Sequence, residues 1–330
     1  SPNGMVVGAS GVLNVGSLGV YTPSNGVYEK YKANPTTDLT EVEKSSGHGA
    51  VKVDGKIITN GEVQIYGGQV DIAKGAGIVT GINKDAMELL SSNERADALF
   101  NQLVNTDNIK SGNNFIASAE NGTIYIKSQD GINVNGKIVN RASGDGSKVH
   151  IHNWGENGLN VTGDIVNTKG LMQFDNNRGD LNISGNIKND GETNIYNNPF
   201  GQLNPVDPNT SLTISGNIDT KGQLNIKNKG GKGLNISGTV NHDGNADVQN
   251  GYLANDFGYD KEKTKNNTGA MNITGTFNTT GDATFLNTEH GVDGMNISGT
   301  VNVGGKGTYT NHGAGGLNIK EGGNISSNNL

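Results

Sequence analysis

A five-residue phrase recurs through the second half of the chain and restricts its fold more than any other sequence feature. Each copy alternates apolar and polar residues over four positions, and most copies then end on a glycine. The copies begin at Ile132, Leu159, Leu181, Leu212, Leu234, Met271, Met295 and Leu317. Such repetition at a regular interval is typical of proteins built from stacked structural units.

The interval between copies indicates which kind of unit is repeated. It is 22 residues from 159 to 181, from 212 to 234 and from 295 to 317. The other intervals, 27, 31, 37 and 24 residues, equal 22 plus insertions of 5, 9, 15 and 2. A unit of about 22 residues matches one coil of a parallel β-helix. We therefore predict an all-β chain that forms a right-handed parallel β-helix, a solenoid with coils of about 22 residues.

The alternation inside each copy predicts a short strand. Leu159 and Val161 lie on one face of such a strand, and Asn160 and Thr162 lie on the other. Gly163 ends the strand, and two further short apolar runs follow before the next copy. Stacked coils would bury the apolar residues in one column. They would also place equivalent asparagines about 4.8 Å apart, where their side chains can form amide ladders.

Composition supports an elongated fold and excludes several functions. The chain has 52 glycines among 330 residues and only 32% hydrophobic residues, so a compact globule would lack core volume. The apolar residues nevertheless recur in register, which disfavours disorder. There is no cysteine, which excludes disulfides and thiolate metal sites. A net charge of −7 without a basic cluster argues against a nucleic-acid partner.

Several segments interrupt the pattern and are predicted to be insertions. Residues 84–105 carry apolar side chains at helical spacing and predict a helix against the solenoid wall. Residues 28–48, 196–210 and 250–268 are predicted to be loops. The predicted organisation is one continuous solenoid, with a secretion-like β-helical part at 1–82, a helical insertion at 83–114 and the repeat-bearing β-helix at 115–330.

The first residues carry a motif that resembles a known family. Pro2, Asn3 and Gly4, followed by Asn14 and Gly16, closely resemble the Asn-Pro-Asn-Gly motif and the Asn-Val-Gly-Gly-Leu-like phrase of two-partner secretion domains. Those domains begin large exoproteins similar to filamentous haemagglutinin. Ser1 stands where the family usually has asparagine, and Ser17 where it often has a second glycine. The family's secretion domain also extends upstream of this motif.

The resemblance implies a function without catalysis or cofactor. It implies export through an outer-membrane transporter of the two-partner secretion type and folding at the bacterial cell surface or outside the cell. It also implies a role in adhesion, aggregation or biofilm formation, with a receptor or glycan on a host or neighbouring cell and self-association as further partners. The sequence identifies no receptor.

An enzyme of the same fold class is the main alternative. Residues 47–49 (Gly-His-Gly) and 105–107 (Asn-Thr-Asp) resemble polygalacturonase motifs, but their order is reversed and the chain has no adjacent aspartates. We therefore predict no enzymatic activity. A β-helical protein that binds or cleaves polysaccharide, of the tailspike or lyase type, remains the second hypothesis.

Three smaller motifs carry weaker hypotheses. His150 and His152 share a strand face and would suit a metal ion, but no third ligand stands at a recognisable spacing, so no metal site is predicted. Arg178, Gly179 and Asp180 spell an integrin-binding tripeptide. The repeat also creates sequons, which are candidate glycosylation sites, at Asn160, Asn182, Asn235, Asn272 and Asn296.

Overall fold

The computed structural model describes residues 1–35, 39–83, 100–101, 103–104, 118–198, 209–253 and 269–329. Their helices are α1 (Asn25–Ala33) and α2 (Leu39–Lys44). The strands of the first half are β1 (Met5–Val7), β2 (Val12–Tyr21), β3 (Val51–Val53), β4 (Lys56–Ile72), β5 (Gly77–Thr80), β6 (Thr123–Val134), β7 (Lys137–Asn140), β8 (Lys148–Asn153), β9 (Leu159–Val161), β10 (Ile165–Asn167) and β11 (Leu171–Asn176). The remaining strands are β12 (Leu181–Ile183), β13 (Asn186–Asp190), β14 (Thr193–Asn197), β15 (Ser211–Ile214), β16 (Asn217–Asn228), β17 (Gly233–Ile236), β18 (Thr239–Asn250), β19 (Met271–Ile273), β20 (Thr276–Thr279), β21 (Ala283–Asn287), β22 (Met295–Ile297), β23 (Thr300–Asn311), β24 (Leu317–Ile319) and β25 (Asn324–Asn329).

The predicted all-β class with parallel strands is confirmed. The strands pair in parallel with strands of the next repeat along the chain. The chain divides into two compact units, one of Ser1–Gly155 with Gly163–Met172 and one of Glu156–Thr162 with Gln173–Leu330. The predicted loops at 196–210 and 250–268 lie largely outside the described residues.

In the first unit, the long strand β4 differs from the sequence prediction. From the sequence, the glycines at 55, 61 and 67–68 predict separate short strands between them, but only Gly55 lies outside β4. The pairing of β4 with β6 shifts register between Gly67 and Gln69, so the glycines there accommodate a bulge without ending the strand.

The predicted loop at 28–48 is wrong, because this segment contains two helices. The Ser24 hydroxyl accepts a hydrogen bond from the Val27 amide at 3.5 Å and caps α1. Val42 is buried on α2, and Lys30 forms an ion pair with Glu41 at 3.3 Å. One buried side chain over a short charged helix gives too weak a periodic signal to be recognised from sequence.

The predicted helical insertion at 83–114 lies mostly outside the described residues, but its described part has a clear position. Phe100 and Leu103 pack against Ile58, Val79 and Val139, which stand in register on β4, β5 and β7. These strand residues alternate with neighbours buried on the other side, so the insertion covers a second apolar face of the strands.

The core of the second unit consists of columns of equivalent residues from successive repeats. The first apolar residue of each phrase lies in one column and the third in another, and all are buried apart from the last copy. The first column is Leu181, Leu212, Leu234, Met271 and Met295, and the second is Ile183, Ile214, Ile236, Ile273 and Ile297. Burying one such side chain contributes about 1.5–3 kcal/mol.

A ladder of asparagine side chains, separate from the one predicted within the repeated phrase, runs through the interior of this unit. Each side-chain amide donates to the side-chain oxygen of the next member at 2.7 to 2.9 Å, and all but the last residue are buried. The members are Asn176, Asn197, Asn228, Asn250, Asn287 and Asn311. Because buried amides must be hydrogen-bonded, this ladder fixes the register of consecutive repeats.

Candidate functional site

The second unit carries a groove of about 670 Å³, lined by residues from successive parallel strands. One row of lining side chains comes from equivalent positions on β16, β18, β20, β23 and β25. Its members are Asp219, Asn241, Asn278, Asn302 and Ser326. Because each strand contributes one member, the row repeats at the spacing of neighbouring strands, about 4.8 Å.

Hydrogen bonds fix the side chains of this row. The amide of Asn278 donates to the side-chain oxygen of Asn241 at 2.8 Å, and Asn302 donates to Asn278 at 2.8 Å. The Ser326 hydroxyl donates to Asn302 at 2.6 Å. A side-chain amide has two N–H donors and an oxygen with two lone pairs. The ladder therefore leaves each amide with further hydrogen-bonding capacity toward the groove.

The charged residues of the groove are mainly acidic. Asp219 and Asp243 line it, and the Thr280 hydroxyl donates to Asp243 at 2.8 Å. Lys221 is the cation of the lining, and its ammonium lies 3.8 Å from the carboxylate of Asp190 outside the groove. The charge of Lys221 is thus shared, so the groove favours neutral or cationic ligands over anions.

The floor of the groove contains a buried histidine. Nε2 of His242 lies 2.9 Å from the backbone oxygen of Asn245, and Nδ1 lies 2.9 Å from the Thr220 hydroxyl. A carbonyl oxygen only accepts, so Nε2 carries the proton and Nδ1 of the neutral ring accepts from Thr220. Burial lowers the pKa of His242 below 6.5, and the charge of Asp243 opposes this shift.

This pKa predicts a pH dependence of stability. Above pH 6.5 the ring is neutral in both states, and as the pH falls through 6.5 only the unfolded chain gains the proton. The free energy of unfolding should therefore fall below about pH 6.5. His242→Gln keeps a donor for Asn245 but does not titrate, so it should lose less stability on acidification. Urea unfolding of both proteins between about pH 7.5 and 5 measures this, and equal pH dependence would contradict it.

The groove has the chemistry of a binding surface. Thr220 and His242 form a hydroxyl–imidazole pair, but both are buried. The imidazole donates its proton to a backbone carbonyl, with no carboxylate to orient it as in a catalytic triad. The polar groups of the lining are amides, hydroxyls, carboxylates and the Lys221 ammonium, which can hydrogen-bond to a ligand, and Val303 and Gly304 contribute apolar surface beside them.

The residues of the secretion motif lie at the start of the first unit. Residues 1–4 form a turn in which the Gly4 amide donates to the Ser1 carbonyl at 3.1 Å. Gly4 has φ +92°, and a side chain there would overlap the backbone of Ala50, so this position requires glycine. Asn14 lies on β2 opposite Ile58 of β4, and Gly16 is exposed at a register shift of the same strand pair. Pro2, Asn3 and Gly4 thus lie in the turn before β1, whereas Asn14 and Gly16 lie on β2.

The integrin-type tripeptide lies in a turn held by contacts within the second unit. Arg178 lies 3.7 Å from the carboxylate of Glu156, and the carbonyl of Gly179 accepts from the Asn176 side chain at 2.9 Å. The Asp180 carboxylate accepts hydrogen bonds from the amide and the hydroxyl of Ser211 at 2.8 and 3.2 Å. The charged side chains that an integrin would contact thus both have partners inside the protein.

The sequon asparagines form the amide ladder expected from the repeat. In four contacts between copies of the repeated phrase, the side-chain amide of the asparagine in one copy donates to the side-chain oxygen of the asparagine in an earlier copy at 2.8 to 3.1 Å. The pairs are Asn182 to Asn160, Asn272 to Asn235, Asn296 to Asn272 and Asn318 to Asn296, and Thr213 occupies the equivalent position between Asn182 and Asn235. Because Asn182, Asn272 and Asn296 donate through their nitrogens and Asn160 and Asn235 accept through their oxygens, packing accounts for the repeated asparagines.

The histidines at 150 and 152 belong to a row of rings in the first unit. Consecutive ring centroids are 4.7 to 5.4 Å apart. The row is Tyr21, Tyr66, Tyr125, His150, His152 and Trp154. Burial and the neighbouring Glu43 raise the pKa of Tyr21 to about 12. The sequence showed that His150 and His152 share a face but not that Tyr21, Tyr66 and Tyr125 continue the row, because these residues come from strands at unequal separations along the chain.

The remaining candidates from the sequence are His48 and residues 105–107. His48 is exposed, and its amide donates to the carbonyl of Thr22 at 3.1 Å. Residues 105–107 lie outside the described residues.

Across the described ranges, no helix is long and apolar enough to cross a membrane. No family model, curated protein or solved structure matches this chain.

Proposed function

We propose that this chain is part of the stalk of a surface-exposed or secreted bacterial exoprotein that mediates adhesion, aggregation or biofilm formation. In this proposal the strands wind into a right-handed parallel β-helix with one coil per 22-residue unit. The observation that carries it is the register between repeats, in which identical positions pair across intervals of 22, 31 and 37 residues. The longer intervals keep the same register because their extra residues lie between strands.

The amide ladders support a mechanical role. In the second unit one ladder lies inside and another follows the sequon positions, and both connect consecutive repeats. Such bonds add to the backbone pairing and resist separation of the repeats. A stalk needs this property, whereas an enzyme needs a cluster of reactive side chains.

The resemblance of the first residues to two-partner secretion domains supports the export route. The partner in this proposal is an outer-membrane transporter of that class, and the location is the surface of a bacterium with an outer membrane. Strand β1, which follows the turn at residues 1–4, pairs with β3. The start of the motif is therefore directly connected to the β-sheet.

A second candidate function is binding or cleavage of polysaccharide, as in tailspike or lyase proteins of β-helical fold. The groove of the second unit favours it, since amides, hydroxyls and carboxylates stand beside apolar surface in a groove of about 670 Å³. Turnover of a polysaccharide by the purified chain would favour the cleaving form of this function over the stalk.

Immunogold electron microscopy of intact source cells tests the proposed stalk. With antibodies to this chain, we expect label on thin projections outside the outer membrane, since a stalk must extend from the surface. Pre-immune serum and permeabilised cells serve as controls. Label confined to the periplasm would contradict the proposal, and protein found only in soluble form in the medium would contradict the surface-attached stalk.

A further inference from the structure

We propose that the groove of the second unit binds a neutral, linear glycan that lies across the strands, along the direction in which the repeats stack. This inference rests on the proposed adhesive function and adds to it a contact site and a ligand class. Its residues are those of the row that contains Asn241, Asn278 and Asn302, with Thr280 and Asp243 beside them.

The spacing of the hydrogen-bonding groups matches a polymer of sugar rings. Equivalent side chains on neighbouring parallel strands stand about 4.8 Å apart. This is close to the length of one hexose along a linear chain, so successive sugars meet successive members of the row. The groove volume of about 670 Å³ lies within the range of small-molecule sites, roughly 300–1,000 Å³, and accommodates a few sugar units.

The hydrogen-bonding groups of the row also favour a sugar over an apolar ligand. The amides at 241, 278 and 302 retain donors and acceptors beyond their ladder contacts. Hydroxyl and acetamido groups of a glycan both donate and accept, so they can satisfy this mixed surface. An apolar ligand would remove the same groups from water without replacing their hydrogen bonds, at about 1–3 kcal/mol for each group.

The charges decide in favour of a neutral glycan. Asp219 and Asp243 face the groove, and the ammonium of Lys221 is shared with Asp190. The whole chain also carries a net charge of −7. A polymer with uronate or sulfate groups would meet repulsion from two carboxylates and no uncommitted cation of the groove lining.

The ladder prepares the surface for binding. Contacts at 2.6 to 2.8 Å hold the row before any ligand arrives. Binding then costs little side-chain entropy, which is one of the costs when flexible polar side chains recognise a ligand.

Two asparagines of the same repeat form a matched pair for a test. Asn278 lies in the groove, whereas Asn272 belongs to the sequon ladder outside it. Both are half-buried, and both donate to the preceding asparagine at 2.8 Å. Asn278→Ala and Asn272→Ala should therefore lose similar stability and differ only in binding.

The experiment titrates the full chain with cellohexaose, maltohexaose and N-acetylchitohexaose, and with oligogalacturonate as the acidic comparator, by calorimetry or NMR. We expect binding of at least one neutral hexaose and weaker binding of oligogalacturonate. Asn278→Ala should weaken binding of the neutral hexaose about fivefold, because the loss of one hydrogen bond costs about 1 kcal/mol. Asn272→Ala should leave the affinity unchanged. Thr280→Val, at the exposed rim, provides a second variant with the same expected direction.

Three results would overturn the inference. These are no binding of any neutral hexaose at millimolar concentration, a preference for oligogalacturonate, or equal affinity of wild type, Asn278→Ala and Thr280→Val. None of them changes where the immunogold label lies, so a failure of the glycan site is distinguishable from a failure of the stalk. Conversely, periplasmic label with groove-dependent binding would reject the stalk and leave the glycan site in place.

Discussion

Replacing Asn228 by leucine should lower the free energy of unfolding by at least about 3 kcal/mol, although the two side chains have similar volumes. Asn228 is fully buried, and its side chain makes four hydrogen bonds. Its oxygen accepts from Asn197 and from the Gly230 amide, and its nitrogen donates to Asn250 and to the Gly230 carbonyl. Leucine would leave these buried partners without replacement, and each unsatisfied group costs about 1–3 kcal/mol.

The matched control is Asn217→Leu. Asn217 also donates to a neighbouring asparagine, Asn186, at 2.9 Å, but both residues are exposed and water can replace the lost contact. We expect a change within about 0.5 kcal/mol. Urea unfolding monitored by circular dichroism measures both variants. A loss for Asn228→Leu no larger than that of Asn217→Leu would show that the buried ladder does not stabilise the repeats.

Replacing Gly238 by alanine should destabilise the protein by about 3 kcal/mol or more, at the upper end of overpacking effects. Gly238 ends one copy of the repeated phrase, and its amide donates to the carbonyl of Ile214 at 3.1 Å. A Cβ atom on Gly238 would overlap the carbonyl oxygen of Gly216 in the neighbouring repeat. That oxygen belongs to the backbone, so it can move only if the spacing of the two repeats changes.

The same overlap recurs at Gly216, Gly275 and Gly299, each against the glycine of the preceding copy. The glycine of the phrase is thus required by close stacking of the repeats. Gly26→Ala in helix α1 is the control, because a Cβ there meets no atom within 4 Å. It should leave stability unchanged or raise it by up to about 1 kcal/mol. A Gly238→Ala protein as stable as wild type would show that the repeats are farther apart than described.

The strands that contain the repeated phrase could be predicted from the sequence. Equivalent residues are identical or similar from copy to copy, so in-register stacking is the arrangement that buries every apolar column at once. The sequence also predicted the sequon-position ladder, for example from Asn272 to Asn235 at 2.8 Å. Here local pattern and tertiary packing require the same arrangement.

The buried ladder could have been predicted but was not. Its asparagines at 197, 228, 250, 287 and 311 each stand 16 residues after the first residue of a phrase. This constant offset is as regular as the phrase itself. The pattern of apolar residues does not identify it, because a polar residue at a fixed offset resembles a turn residue.

The helices and strands outside the repeat could be identified only from the structure. The helices at 25–33 and 39–44 bury little apolar surface of their own, so their periodicity is weak. Glycines at 61, 67 and 68 resemble strand ends in the sequence, yet they lie inside β4, where neighbouring strands supply the backbone hydrogen bonds. In both cases contacts from distant residues decide the local conformation.

The strand of the repeated phrase, the apolar columns and the repeat interval thus follow from the amino-acid sequence, because they depend on residues a few positions apart or on exact repetition. The two further runs of each coil were predicted to be separate, but they form one strand in β16, β18 and β23. The groove and the row of rings needed the tertiary structure to different degrees. The groove positions 219, 241, 278 and 302 each stand seven residues after the first residue of a phrase, so their repetition is visible in the sequence, but the open groove that they line is not. The row of rings joins Tyr21 to Trp154 across insertions of different lengths, and because such a row needs only proximity in space, no single spacing along the chain marks it.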